Sequence, residues 1–397
     1  MAQSTVLRLR GWWLSVHKWI GILLAILIIP ISITGSALVW HDWLDEQINP
    51  QRYAVSTNEV RLTPSQYAAA AAPPVAAAAQ GGAVAQIRYP EGGEGPVMVA
   101  GTRPQPGEGR PARTNVWLDP GTGAVLDSAS SQAGLVQVMH VLHGSVMIPG
   151  VGRQIVGWVG VFMFISCLTG IWLWWPITGS FRRGFRWRRQ NSTNANIHHL
   201  LGFWVLVPLA MLSFTGFWIS FPGVFGGNQP PPQAEAKAGQ SKARAPGGGD
   251  DRARQMRARP LARTAMTAEA ALAAATPAGG GGALVSVTWP TDMSSEWKIS
   301  FARAGGPAEV SVDDTTGAVK PPRPPRPETT ARLMRRLHDG TNMGLTWQII
   351  IFLGGIIPAI LSITGLVMWW RSRGWKKALA KKRKARGLGG TAPQPAE

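Results

Sequence analysis

Leu142-His143-Gly144 returns later in the chain as Leu337-His338-Asp339, and the agreement runs well past those three residues. Thr169-Gly170 follows His143 by 26 and 27 residues, and Trp174-Trp175 by 31 and 32. The same offsets from His338 land on Thr364, Gly365, Trp369 and Trp370. One register of 195 also pairs Gly160 with Gly355 and Ile165 with Ile360 without a gap. Agreement of this length at one spacing marks an internal duplication.

A second register, 181, relates the other two apolar stretches. His17 precedes Gly21 by four residues and Thr34-Gly35 by 17 and 18, while His198 stands in the same relation to Gly202 and Thr215-Gly216. Four of the seven histidines therefore occupy duplicated positions. The other three do not, because the counterparts of His41, His140 and His199 are Pro222, Arg335 and Lys18. Duplication thus separates candidate ligands from incidental histidines.

Uncharged runs span Trp19 to Trp40, Ile155 to Trp175, Leu200 to Phe221 and Leu345 to Trp370, of 22, 21, 22 and 26 residues. About 20 apolar residues cross a hydrocarbon core as a helix, so each run is long enough. Buried helices of a soluble core, and a cleaved signal peptide for the first run, are the competing readings. The first run exceeds a signal h-region, lacks a small-x-small cleavage site and is followed by three more spans. The formal charge of +19 is concentrated: residues 1–18, 176–197 and 371–397 hold 17 of the 40 Lys and Arg against one acid, Glu397. Three basic segments separated by even numbers of spans share one membrane face, which the positive-inside rule makes cytoplasmic. The charge then reports topology rather than nucleic-acid binding. Cys167 is alone and within a span, and no Cys-x-x-Cys-His occurs, so neither a disulfide framework nor covalent haem attachment is expected.

Both long polar segments then fall outside. In the first, Leu62-Thr63-Pro64 reads as a helix start, followed by strands near Ala85–Tyr89, Val97–Ala100 and Asn115–Leu118 and a hairpin turn at Asp119-Pro120-Gly121-Thr122-Gly123. The second repeats that order through Met266–Glu269, Val285–Trp289, Trp297–Phe301, Glu309–Val312 and Asp314–Val319. Between Pro222 and Pro260 the composition is that of a linker. Ile148-Pro149-Gly150 should break the chain between His143 and its span, and the Trp pairs suit an interfacial aromatic belt.

If the halves fold as parallel repeats about an axis along the membrane normal, His17 meets His198 near the cytoplasmic face and His143 meets His338 near the outer face. Ionisable groups at such depth are costly and usually functional. Two imidazoles with no nearby carboxylate or thiolate underfill tetrahedral zinc. Haem iron brings four nitrogens of its own and needs only two axial ligands. Seventeen residues of helix are about 25 Å, which puts Thr34-Gly35 and Thr215-Gly216 level with the outer pair and Thr169-Gly170 and Thr364-Gly365 level with the inner one. Those glycines suit either close approach of a flat macrocycle or simple helix packing. His199 and His140 are the competing ligands inside and outside, and His41 could line an outer substrate site with His140.

His17-Lys18-Trp19-Ile20-Gly21 with Thr34-Gly35, Leu142-His143-Gly144, Ile197-His198-His199-Leu200-Leu201-Gly202 and Leu337-His338-Asp339-Gly340 resemble the motifs of the PepSY-associated transmembrane family. Its members include iron-regulated inner-membrane proteins and ferric-siderophore reductases. The outer turns ending in Thr-Gly-Ala-Val resemble PepSY domains. The resemblance implies two haem b groups with His17, His198, His143 and His338 as axial ligands, a bacterial inner-membrane location, and electron flow to a periplasmic ferric chelate. Some relatives carry a fused flavin reductase domain; here the expected donor is a separate cytoplasmic protein or the quinol pool. No side chain is assigned a catalytic role beyond the ligands.

The expected fold is an α-helical membrane protein, a four-helix transmembrane bundle of two parallel repeats, each with a small periplasmic α+β PepSY-like domain. The expected boundaries are a first span within 1–41, a periplasmic domain at 42–139, a capped second span at 140–176, a basic loop at 177–197, a third span at 198–221, a linker at 222–262, a second periplasmic domain at 263–327, a capped fourth span at 328–371 and a basic tail at 372–397. Two other function classes fit the sequence. One is a non-catalytic adaptor binding an envelope partner through the outer domains; the other is a transporter.

Overall fold

Each uninterrupted apolar run becomes an uninterrupted helix. The computed structural model describes residues 2–78, 82–102, 113–178, 192–225, 258–303, 306–322 and 328–385. In chain order the helices are α1 (Ala2–Leu38), α2 (His41–Ile48), α3 (Pro64–Ala78), α4 (Leu135–Ser145), α5 (Gly152–Thr178), α6 (Thr193–Ser220), α7 (Ala268–Gly279), α8 (Thr330–Asp339) and α9 (Gly344–Ala385). The strands are β1 (Ala83–Arg88), β2 (Val97–Thr102), β3 (Arg113–Leu118), β4 (Val125–Ser130), β5 (Leu284–Thr288), β6 (Glu296–Phe301), β7 (Ala308–Asp313) and β8 (Val319–Lys320). Two units result: a helical one from Met1–Trp40, Met139–Asn228 and Thr329–Glu397, and a sheet unit from His41–Val138 and Gln229–Glu328.

In the helical unit, Arg8–Leu38, Gly152–Trp175, Thr193–Ser220 and Gly344–Gly374 are each long and apolar enough to cross a membrane. Their outward faces carry Ile26 at 78% exposure and Val207 at 75%, which hydrocarbon tolerates and water does not. The chain is a membrane protein. α1 packs along α9, where Ser36 Oγ donates to the Phe352 carbonyl at 3.0 Å and Gly355 admits the Ser36 side chain. α5 packs along α6 in the equivalent way, with Gly160 against Ser213 and Phe217. The breaks before the second and fourth spans are as the sequence predicts. α4 ends at Ser145, and Val146, Met147 and Gly150 take positive φ before α5. α8 ends at Gly340 (φ 78°), whose N–H bonds the Arg336 carbonyl, before Gly344 opens α9. His143 and His338 accordingly sit on short helices that precede their spans. α9 runs on beyond the span into the basic tail, as far as Ala385.

In the sheet unit the strands form one antiparallel sheet in the order β4-β3-β2-β1-β5-β6-β7-β8. The sequence predicts two small domains; the structure has one, because β1 pairs with β5 through Gln86↔Thr288, Ile87↔Val287 and Arg88↔Ser286. That pairing removes two hydrogen-bonding edges that separate domains would leave open. A single core follows, with Tyr67, Ile87, Val99 and Leu118 of the first segment and Val287, Trp297, Ile299 and Val312 of the second all buried. Period-2 burial along β6 (Trp297, Ile299, Phe301) turns that face onto α7. Glu269 of α7 accepts from Ser65 N and Ser65 Oγ of α3, both at 2.7 Å, and so ties the two covering helices together. Most of the expected 222–262 linker lies outside the described residues.

Asp119 and Asp314, equivalent in the 195 register, are both buried at the ends of β3 and β7. Asp119 accepts from Ser56 N and Oγ (both 2.7 Å) and from Thr122 N and Oγ1 (3.1 and 2.6 Å). Burial alone would raise its carboxyl, but these bonds outweigh it and hold the group at about 2. A depressed carboxyl adds stability above its unfolded value of about 4, lost as pH falls through the folded value. Hydrogen exchange in β3 and β4 is therefore expected to stay slow down to about pH 4 and to accelerate only as pH 2 is approached. Asp119→Asn should show the faster exchange already at pH 7.

Candidate functional site: two paired-histidine centres

Histidines far apart in sequence meet in the helical unit. The ring centres of His17 (α1) and His198 (α6) are 6.3 Å apart with an interplanar angle of 86°. Those of His143 (α4) and His338 (α8) are 6.0 Å apart at 40°. An imidazole nitrogen lies about 2 Å from a metal ion and the ring centre about 1.1 Å behind it, so two rings bonded in line to one ion have centres about 6 Å apart. Both couples match that spacing.

Hydrogen bonds select the tautomer. His17 Nδ1 lies 2.9 Å from Thr169 Oγ1, and His338 Nδ1 2.9 Å from Thr215 Oγ1. His198 Nδ1 is 3.1 Å from both Thr364 Oγ1 and the Leu361 carbonyl, and His143 Nδ1 is 2.9 Å from the Ile31 carbonyl. Each of these threonines already spends its only proton on a backbone carbonyl of its own helix. The threonine oxygens and the carbonyls then accept, so Nδ1 of His143, His198 and His338 carries the hydrogen; His17 Nδ1 faces the same kind of acceptor in Thr169 and has Ser166 Oγ beside it at 3.3 Å. The lone pair is left on Nε2, which bonds no described residue. This is the arrangement of a metal-ligating histidine, whose other nitrogen donates to a fixed acceptor.

The outer couple is also held neutral. Burial, and then the neighbouring His143, push His338 down to about 4, and burial lowers His143. Neutral imidazole is the ligating form.

The glycines of the Thr-Gly motifs serve the rings directly. A Cβ on Gly35 would fall 2.5 Å from His143 Cε1, on Gly216 3.2 Å from His338 Cε1, on Gly170 3.4 Å from His17 Cε1 and on Gly365 3.5 Å from His198 Cε1. The sequence places each motif at the level of the correct histidine pair, and the structure assigns the individual ring within it. Beside the two readings the sequence leaves open, approach of a macrocycle and helix packing, the structure adds a third: the missing side chain leaves space for the imidazole edge. Thr34 differs from the other threonines in that its hydroxyl bonds the Pro30 and Ile31 carbonyls while His143 Nδ1 takes the Ile31 carbonyl as its partner.

Beside His17 and His198 lies a cavity of ≈ 850 Å³, within the range of about 300–1,000 Å³ usual for cofactor sites. Ile28, Met163, Leu206 and Leu361 give it apolar walls, and Gly170 and Gly365 line it beside the two rings. The Trp pairs divide: Trp174 and Trp369 line the cavity, with Trp174 stacked on Phe203 at 4.3 Å, while Trp175 and Trp370 face outward. A belt role therefore fits only the second member of each pair. His199 also lines the cavity, 6.3 Å from His198 ring to ring. His140 is exposed, and His41 contacts Asp42 at 2.8 Å. Among the described residues no three His, Cys, Asp or Glu side chains converge as a metal cluster. The donor sets are two imidazoles each, which suits an ion that already has most of its ligands, as haem iron has.

No curated protein matches the chain. A family model described as PepSY-associated TM region matches residues 14–372, which reach into all four spans and include all four paired histidines. The chain belongs to the PepSY-associated transmembrane family.

Proposed function

We propose that this chain is a dihaem b-type reductase of the bacterial inner membrane, moving electrons from a cytoplasmic or quinol donor to a ferric chelate, a siderophore complex, on the periplasmic side. Two parallel repeats, with both termini cytoplasmic and the sheet unit periplasmic, complete this reading. The observation that carries it is the pair of two-imidazole centres in which no Nε2 bonds a described residue. On α1 the inner couple is at position 17, and the outer couple is met between Ile31 and Gly35, about 21–27 Å further along the helix. One centre in each leaflet is what electron passage through a bilayer requires.

His17 and His198 would hold one haem and His143 and His338 the other; the bound groups supply one-electron chemistry that no side chain here offers. The chain's own residues then do three things. The imidazoles would hold the groups, the Thr hydroxyls and carbonyls fix the planes of the rings, and the apolar walls would keep water away.

Sealed proteoliposomes with reductant inside and a ferric chelate plus an Fe(II)-specific dye outside test the reading. Dye colour should develop with the wild type and fail with His198→Ala and with His338→Ala. Wild-type vesicles that leave the chelate oxidised would exclude reductase activity and favour the adaptor. Entry of iron without any reductant would favour a transporter.

The Nδ1 acceptors carry a further expectation. Thr169→Val and Thr364→Val should each weaken cofactor retention about tenfold or more, because the outer hydrogen bond raises ligand basicity. The same loss should raise the midpoint potential of the inner centre, as a less basic ligand stabilises the ferric form less. Spectroelectrochemical titration of the full-length variants measures both.

A further inference from the structure

Three cationic side chains, Arg10, Lys18 and Arg373, stand on the lining of the cavity beside His17 and His198, and no acidic side chain does among the described residues. They come from α1 and α9 only. Their counterparts under the two registers are Asn191, His199 and Thr178, so the duplication does not repeat these three charges in sequence. Arg10 precedes His17 by two helical turns, about 10 Å. Arg373 follows Gly365, which abuts the His198 ring, by eight residues or about 12 Å. The Arg373 guanidinium lies 4.9 Å from the centre of the Trp369 ring, another cavity residue, and that stacking orients its donors.

Haem b is apolar except at one edge, which carries two carboxylates. Those carboxylates are costly in hydrocarbon and are recognised by charge-assisted hydrogen bonds. We infer that Arg10, Lys18 and Arg373 form a carboxylate-binding rim that receives the propionates of the haem held by His17 and His198, and so set which way that haem faces in an otherwise two-fold site. This rests on the haem reading above. Basic residues at a membrane face also meet lipid phosphates, so anion binding is common to both sources and the test must separate them.

The experiment titrates full-length apoprotein carrying His338→Ala, which isolates the inner centre, with haem b and with its dimethyl ester, and follows the Soret band. Arg10→Gln with Arg373→Gln should weaken haem b binding tenfold or more and leave the ester unaffected. The exposed neighbour Arg371→Gln, which does not line the cavity, should change neither. Equal affinity for haem b in parent and double variant would overturn the rim and leave the side chains to lipid headgroups. An equal loss for haem b and ester would also overturn it, as a packing effect. A parent that gives no Soret band with either compound would instead sink the haem reading, and the rim with it.

Discussion

On the dihaem reading, full-length protein carrying His17→Ala or His198→Ala is expected to bind one haem and not two, with the spectrum of the second centre unchanged. Each inner ring supplies one of only two protein donors, and the rings are already at the spacing of a shared ion, 6.3 Å centre to centre. Removing one leaves a single axial donor facing a cavity of ≈ 850 Å³. The intact His143–His338 couple serves as an internal control for folding, since its rings belong to α4 and α8. The mirror experiment, His143→Ala or His338→Ala, should remove the other haem. His199 is an imidazole neighbour able to compensate, as it also lines the cavity. Retention of two haems in His198→Ala together with loss of one in His199→Ala would reassign the inner ligand.

Gly35→Ala should abolish the outer centre although it adds a single methyl group. That methyl would fall 2.5 Å from His143 Cε1 and 2.8 Å from Nδ1, well inside contact distance. The ring cannot retreat without breaking its bond to the Ile31 carbonyl at 2.9 Å. Gly170→Ala and Gly365→Ala, with nearest atoms at 3.4 and 3.5 Å, should keep the inner centre, and Gly216→Ala at 3.2 Å should fall between. Within a helix the exchange itself favours alanine by about 1 kcal/mol. Any loss therefore reports on the imidazole rather than on helix stability. Haem content and low-spin EPR signals of the four variants would rank them in the order 35, 216, then 170 and 365. A rank unrelated to these distances would remove the glycines from the site.

Much of this was legible because a membrane helix is a ruler. A rise of about 1.5 Å per residue turns the offset from His17 to Gly35 into depth, and each Thr-Gly motif does meet the histidine of the opposite level. Uncharged length located the spans, and Pro149 located the break after His143. Rotation about the helix was less legible. Nothing in Trp174-Trp175 says that the first member faces the cavity and the second faces out, because four apolar spans lack the polar face that would orient them. The threonine role depends on the fold as well: a hydroxyl acts as an acceptor where a carbonyl of its own helix takes up its proton. Ile31 could not be found from sequence at all, since it contributes a backbone carbonyl. The merged sheet escaped for a different reason. Alternation along Ala83–Arg88 and Leu284–Thr288 marks both as strands, but register between segments some 200 residues apart is not written in either.

Haem content per chain, read together with the low-temperature EPR spectrum of purified wild-type protein, tests the paired-histidine centres most directly. Two haem b per chain, both low-spin with two nitrogen axial ligands, is the predicted result. A preparation with no haem, or with iron held high-spin by a single histidine, would contradict it.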